Sequence, residues 1–286
     1  MNKLFFAGLA MWASMANVFA QSPWTKEKGK GYAQVGYNTI LPTNVFFSNN
    51  TEQKYTNRLV YDNNIQAFGE YGITDKLTVI AAVNAKYVAT GDIVDIPSDA
   101  LAEERPPALV LPAGQKFGLG NSYISAKYRL YNKGWVVSAQ GDVMLPSAKP
   151  DTVTFLATGF DAWGFAPSVS VGNAGNKWYA FANAGVNFRT GAFSHEWAAT
   201  AEYGYKIKSV YLIANLHARY SLNNQPSPDF LHTGLSVNQQ NYLAFGLKAF
   251  IPFTENLGIN LSAFGAALSN NVQSAPSFGA SVFYKW

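Results

Sequence analysis

The chain contains no cysteine, so no disulfide framework or lipidated thiol can hold or anchor it, and burial and backbone pairing must suffice. Charge is scarce as well: Asp, Glu, Lys and Arg make up 13% of the residues, where a soluble domain carries roughly 25%. With only three histidines, His195, His217 and His232, His-dependent catalysis has few places to sit. Beyond Gln21 no apolar run approaches the roughly 18 residues that a spanning helix needs. No Gly-x-Ser-x-Gly, His-Glu-x-x-His or phosphate loop occurs, and neither a metal nor a cofactor is expected. The net charge of +4 comes from scattered rather than clustered basic residues, which gives nucleic-acid binding no footprint.

What the chain does have begins with an exported leader. Lys3 precedes an apolar run from Leu4 to Met15, and Val18 and Ala20 stand three and one before Gln21. Residues 1–20 therefore read as a cleaved signal peptide, leaving 21–286 as one domain.

That domain breaks into about twelve segments in which side chains alternate with a period of two, each roughly the 9 to 11 residues of a tilted membrane strand. The clearest runs from Leu77 to Tyr87, with Leu77, Val79, Ala81, Val83, Ala85 and Tyr87 on one face and Thr78, Ile80, Ala82, Asn84 and Lys86 on the other. The last, Pro276 to Trp286, sets Phe278, Ala280, Val282, Tyr284 and Trp286 against Ser277, Gly279, Ser281, Phe283 and Lys285. Having no successor, this strand pairs most simply with the first, near Gly31 to Ile40, which closes the sheet.

Connections alternate between short turns rich in Asn, Asp, Gly, Lys and Thr and long loops, Leu41 to Asp62, Val88 to Lys116, Pro146 to Asp161 and Leu222 to Gln239, with one short exception at Thr190 to Ser194. Short turns on the periplasmic side and long loops outside are the habit of outer-membrane barrels. Outward aromatics gather at strand ends, Tyr71, Trp135, Trp178, Tyr205, Tyr284 and Trp286 at the turn side and Tyr37, Tyr87, Trp163, Trp197, Tyr220 and Phe278 at the loop side, forming two interfacial girdles. The fold expected is an all-β transmembrane antiparallel up-and-down barrel of about 12 strands in a bacterial outer membrane. Its partners are outer-membrane lipid and the membrane's assembly machinery, which reads the aromatic-ended final strand.

The opposite face should line a lumen. Its large aromatics narrow the passage, and its cations outnumber its anions, which favours small anions. The candidate solute contacts are Lys86, Lys127, Arg129, Arg189, Arg219, Lys248, Glu70, Glu202, Tyr123 and Tyr242. This points to a narrow passive channel for small solutes, aromatic or anionic ones among the candidates. The alternative is a structural or export-associated barrel without conductance of its own, its charges paired across the lumen, for instance Glu70 with Lys86 or Glu202 with Lys206. The acidic loop from Val88 to Lys116, with Asp92, Asp95, Asp99, Glu103 and Glu104, reads either as an inward lid or as a solvated loop. A hydrolase is disfavoured. His217 and Ser221 lie four apart on one strand face, and same-face strand neighbours are already about 7 Å apart.

Two stretches carry a family resemblance. Gly69 to Val79, GEYGITDKLTV, and Gly118 to Tyr131, GLGNSYISAKYRLY, resemble the paired signatures of the outer-membrane proteins grouped with the meta-pathway of phenol degradation. The resemblance implies a barrel that passes aromatic or other small hydrophobic compounds. The family commonly shows Gly-Leu-Gly-Asp where this chain has Asn121.

Overall fold

The computed structural model describes residues 22–48, 50–54, 59–91, 113–148, 151, 153–154, 156–222 and 238–286. The leader at 1–20 and the acidic segment 92–112 lie outside the described residues. Sixteen strands follow one another: β1 (Gly31–Thr43), β2 (Val45–Ser48), β3 (Thr51–Lys54), β4 (Val60–Thr74), β5 (Leu77–Thr90), β6 (Gly114–Leu119), β7 (Ser122–Lys133), β8 (Trp135–Leu145), β9 (Gly164–Ala174), β10 (Trp178–Arg189), β11 (Glu196–Ile207), β12 (Val210–Ser221), β13 (Asn241–Pro252), β14 (Leu257–Asn270), β15 (Val272–Gln273) and β16 (Ser277–Lys285). β6 and β7 both pair with β5 and together make one wall position, interrupted at Gly120 and Asn121. Twelve antiparallel positions result, and pairing of β4 with both β1 and β5 completes the ring. β2, β3 and β15 form a separate small sheet at the long-loop end.

The seam joins β1 to β16 in unbroken register, from Tyr32 opposite Lys285 to Ile40 opposite Ser277. Beyond it Gly31 and Trp286 exchange main-chain hydrogen bonds of 3.1 and 3.2 Å. Short turns occupy one end. The tightest is Gly134 alone, whose φ of +76° suits a residue without Cβ.

The period-two pattern becomes two surfaces. In β5, Thr78, Ile80, Ala82, Asn84, Lys86 and Val88 are buried while Val79, Val83 and Tyr87 are exposed. The same inversion runs round the barrel, exposing Val35, Ile65, Ile124, Val169, Leu212, Leu216, Leu247 and Val282. Each such side chain left in water forgoes about 1.5–3 kcal/mol of burial, so this apolar exterior requires hydrocarbon around it. No helix among the described residues is long and apolar enough to cross a membrane. The strands are what cross, their backbones paired with neighbours round the closed ring.

Candidate functional site

The lumenal face is polar and packed. Gln34, Gln66, Asn84, Ser125, Ser138, Gln140, Ser170, Asn183, Thr200 and Asn215 are all buried on it, interleaved with aromatics and charged groups. All ten candidate contacts point inward, and the structure sorts nine of them into four groups.

Near the short-turn end Glu70 is shared by Lys127 at 3.6 Å and Lys26 at 3.0 Å. Lys127 is wholly buried, at 0% exposure. Across the lumen Glu202 receives Lys248 at 2.6 Å, the Tyr179 hydroxyl at 2.7 Å and Asn215 at 3.1 Å. Towards the long-loop end Lys86 meets Asp62 at 2.7 Å. The fourth group places Glu196 between Arg189 at 3.0 Å and Arg219 at 3.4 Å. Tyr242 lies 5.9 Å from the Arg219 guanidinium, and Tyr123 lies within electrostatic reach of Arg189, Arg219 and Glu196. Arg129 stands apart, half-buried beside the turn at Lys76.

The expected pairs Glu70–Lys86 and Glu202–Lys206 are therefore wrong, although charge pairing inside the lumen is real. Register explains why. Lys86 stands opposite Asn64, six residues along β4 from Glu70, whereas Lys127 stands opposite Thr78, which itself faces Gly72. Glu202 and Lys206 are four apart on one strand, about 13 Å, while Lys248 reaches Glu202 from β13. Asp62 escaped notice because the second strand begins at Val60, earlier than its most regular alternation indicates. The inward series Val60, Asp62, Asn64, Gln66 carried the signal.

Two segments outside the wall narrow the lumen. Residues 22–26 enter its short-turn mouth. Ser138 Oγ donates to the Pro23 carbonyl, Trp24 sets its ring edge-on to Tyr179 and Phe181 at 5.8 and 6.0 Å, and the Lys26 N–H donates to Thr78 Oγ1 at 2.8 Å. From the other end, the loop between β8 and β9 folds inward. Thr158 donates to the Leu119 carbonyl at 2.8 Å and Ser147 Oγ to that of Gly120. Leu156 buries against Val60 and Val88. Phe160 joins Phe68, Ile80, Tyr123 and Met144 in an apolar cluster, with the Arg189 guanidinium 4.4 Å from its ring.

Asn121 holds this loop. Its Nδ2 donates to the Phe160 carbonyl at 2.8 Å, and its Oδ1 accepts the Phe160 N–H at 2.7 Å. Gly159 permits the approach, since a Cβ there would fall 2.3 Å from Asn121 Oδ1. Among the described residues, the loop that folds inward is thus the third long one, and its importance was not apparent from composition.

His217 lies on the lumenal face with Nδ1 2.8 Å from Thr200 Oγ1. Among the described residues no group of three or more His, Asp or Glu is placed to hold a metal ion.

Over residues 31–281 the chain matches the family described as "Putative MetA-pathway of phenol degradation". The chain belongs to this family. None of the curated proteins compared with it matches. Among solved structures it is similar to an outer membrane channel from Pseudomonas putida F1, at 14% identity and a TM-score of 0.67, over 92% of this chain and 97% of that one. It is also similar to the KdgM porin, at 6% identity and a TM-score of 0.50, over 88% and 99%. These likenesses bear out the closed twelve-position barrel, and with the apolar exterior they identify a transmembrane barrel of the bacterial outer-membrane type.

Proposed function

We propose that this family member is a narrow passive channel for small solutes, with a lumenal wall that favours anions. The observation that carries the reading is the inversion of surfaces. An apolar face meets lipid, while an interior running from mouth to mouth is lined by hydrogen-bonding and charged side chains that lipid solvation does not require. The similar barrel from Pseudomonas putida F1 is an outer membrane channel, which supports the same reading here. The ten candidate contacts are proposed to meet the solute when the lumen is open, and the paired charges leave Arg129, Lys206 and Lys285 as a cationic excess near the short-turn mouth. Passage rather than catalysis is the activity proposed.

The described arrangement corresponds to a closed state, because residues 22–26 and the β8–β9 loop both occupy the passage. A barrel without conductance is the second reading, favoured by four groups of buried ion pairs that would brace a filled interior. Planar-bilayer recording separates the two. A channel gives small steps, with a reversal potential on the anion side, that grow when residues 22–28 are deleted. Silence from the wild type, from that deletion and from an Asn121→Ala variant alike would reject the channel.

For the route to the membrane, we propose that residues 1–20 are the removed leader and that β16, with Tyr284 and Trp286, presents the signal read by the assembly machinery. Loss of insertion on replacing both aromatics with Ser, with secretion intact, is the expected result.

A further inference from the structure

The six exposed lysines at the short-turn end do not line the mouth of the barrel but stand around its circumference. Lys28 and Lys30 precede β1, Lys76 lies between β4 and β5, Lys133 ends β7, Lys177 precedes β10, and Lys208 lies between β11 and β12. Only the turn between β13 and β14 lacks one, carrying Glu255 instead. Glu27, Asp75 and Glu255 are the exposed acids at this end, so cations exceed anions two to one. Among the described residues none of the six lysines takes part in an ion pair of 4.0 Å or less; the charged partners found all lie in the lumen.

Three of the six neighbour the outward aromatic girdle. Lys133 stands opposite Trp135 across the turn, and Lys177 directly precedes Trp178, which pairs with Tyr205. Gly31, next to Lys30, stands opposite Tyr71 and bonds Trp286. Trp135, Trp178, Tyr205, Tyr71 and Trp286 are all exposed. An aromatic ring at the level of the lipid carbonyls with an ammonium one step further out reaches the phosphate level of a lipid leaflet. Neighbouring turns of a tilted barrel are about two strand spacings, on the order of 10 Å or more, apart. That exceeds the Debye length of about 8 Å at physiological salt, so Lys133, Lys177 and Lys208, each on its own turn, address separate headgroups, whereas Lys28 and Lys76 lie close together, the Lys28 N–H donating to Asp75 Oδ1 at 2.9 Å.

We infer that this collar binds anionic phospholipid headgroups of the periplasmic leaflet, setting the barrel's depth and gathering such lipids around it. A solute would be met by charges inside the mouth, and a globular partner by charges on one side. A ring that encloses the barrel fits the monolayer that encloses it.

The test uses the refolded full domain, with Trp163 and Trp197 of the opposite girdle replaced by Phe, in vesicles of phosphatidylcholine mixed with phosphatidylglycerol, with brominated acyl chains on one lipid at a time to quench Trp135, Trp178 and Trp286. Phosphatidylglycerol should be preferred about three- to tenfold in low salt, and the preference should fall towards one in 0.5 M NaCl, on the order of a threefold shorter Debye length. The K76Q/K133Q/K177Q/K208Q variant should lose it while retaining heat-modifiable migration in gels; the two-site K177Q/K208Q variant should lose part of it. Equal quenching by both lipids, or a preference that survives the fourfold variant, overturns the proposal. Wild-type but not variant retention on an acidic peptide, without lipid preference, would also overturn it by assigning the collar to a soluble partner.

Discussion

Asn121 and Phe160, thirty-nine residues apart, exchange two hydrogen bonds through one side-chain amide, 2.8 Å from Nδ2 to the carbonyl and 2.7 Å from the N–H to Oδ1. Only a group that both donates and accepts can do this. An aspartate here could accept from the Phe160 N–H but would set a second acceptor against the carbonyl. Asn121→Asp should cost about 1–3 kcal/mol, the range for an unsatisfied buried polar group, concentrated in the loop. Larger single-channel conductance is the expected readout; an unchanged step would show that the loop does not limit passage.

Lys86→Met removes the partner of a carboxylate buried to 3% exposure. Breaking such a pair costs about 3–5 kcal/mol, whereas replacing both members is often neutral. Equilibrium urea unfolding should show the single variant weakened and Asp62→Leu/Lys86→Met restored. Equal loss in both would argue that packing, not charge, holds the site.

Trp24→Ala deletes the ring that sits edge-on to Tyr179 and Phe181. Aromatic pairs are worth about 0.5–1.5 kcal/mol each beyond burial, enough to free the entering segment part of the time. Cleavage near Lys26 and Lys28 by trypsin supplied on the short-turn side should quicken. Resistance equal to wild type would mean that the main-chain bonds at Lys26 and Gly29 suffice.

On the exterior, Leu247 is 68% exposed near the middle of β13. Leu247→Arg should destabilise the inserted barrel by about 2–4 kcal/mol, as cations do at the bilayer midplane. A loss below about 1 kcal/mol would move this residue out of the hydrocarbon.

In the β8–β9 loop, the Thr154 N–H, its hydroxyl and the Val153 N–H hold the Asp151 carboxyl below the usual carboxylate range. A carboxyl whose pKa is lower folded than unfolded contributes stability above the unfolded value, about 3.9, and loses it as pH falls through the folded one. The turn from Asp151 to Thr154 should therefore hold at pH 6 and loosen below about pH 4, seen as lost protection of the Thr154 amide. Protection that is equally low at both pH values would count against it.

The barrel was legible in the sequence because its two solvents impose one rule on every strand. Val79, Val83 and Tyr87 had to alternate with Asn84 and Lys86 whatever the rest of the chain did. The lumen obeyed no such local rule. Which carboxylate meets Lys127 depends on strand stagger accumulated through β4 and β5, and a period of two says nothing about stagger. Asn121 was visible as a departure from the family pattern, but its partner lies in a loop whose position no periodicity describes. Residues 22–30 were likewise unmarked, since a short polar segment with one Trp looks the same inside a barrel as outside it.

The pairing of Gly31 with Trp286 has a consequence in time as well as space. The first and last of the twelve wall positions complete each other, so while the chain is being delivered its earliest strand waits with an open edge until every other strand has arrived. No smaller ring can form and be enlarged later. Until the seam forms, the sheet keeps two unpaired edges, one on β1 and one on β16. The segment that enters the short-turn mouth leads directly into β1, so the strand that completes the wall also carries the residues that narrow the passage.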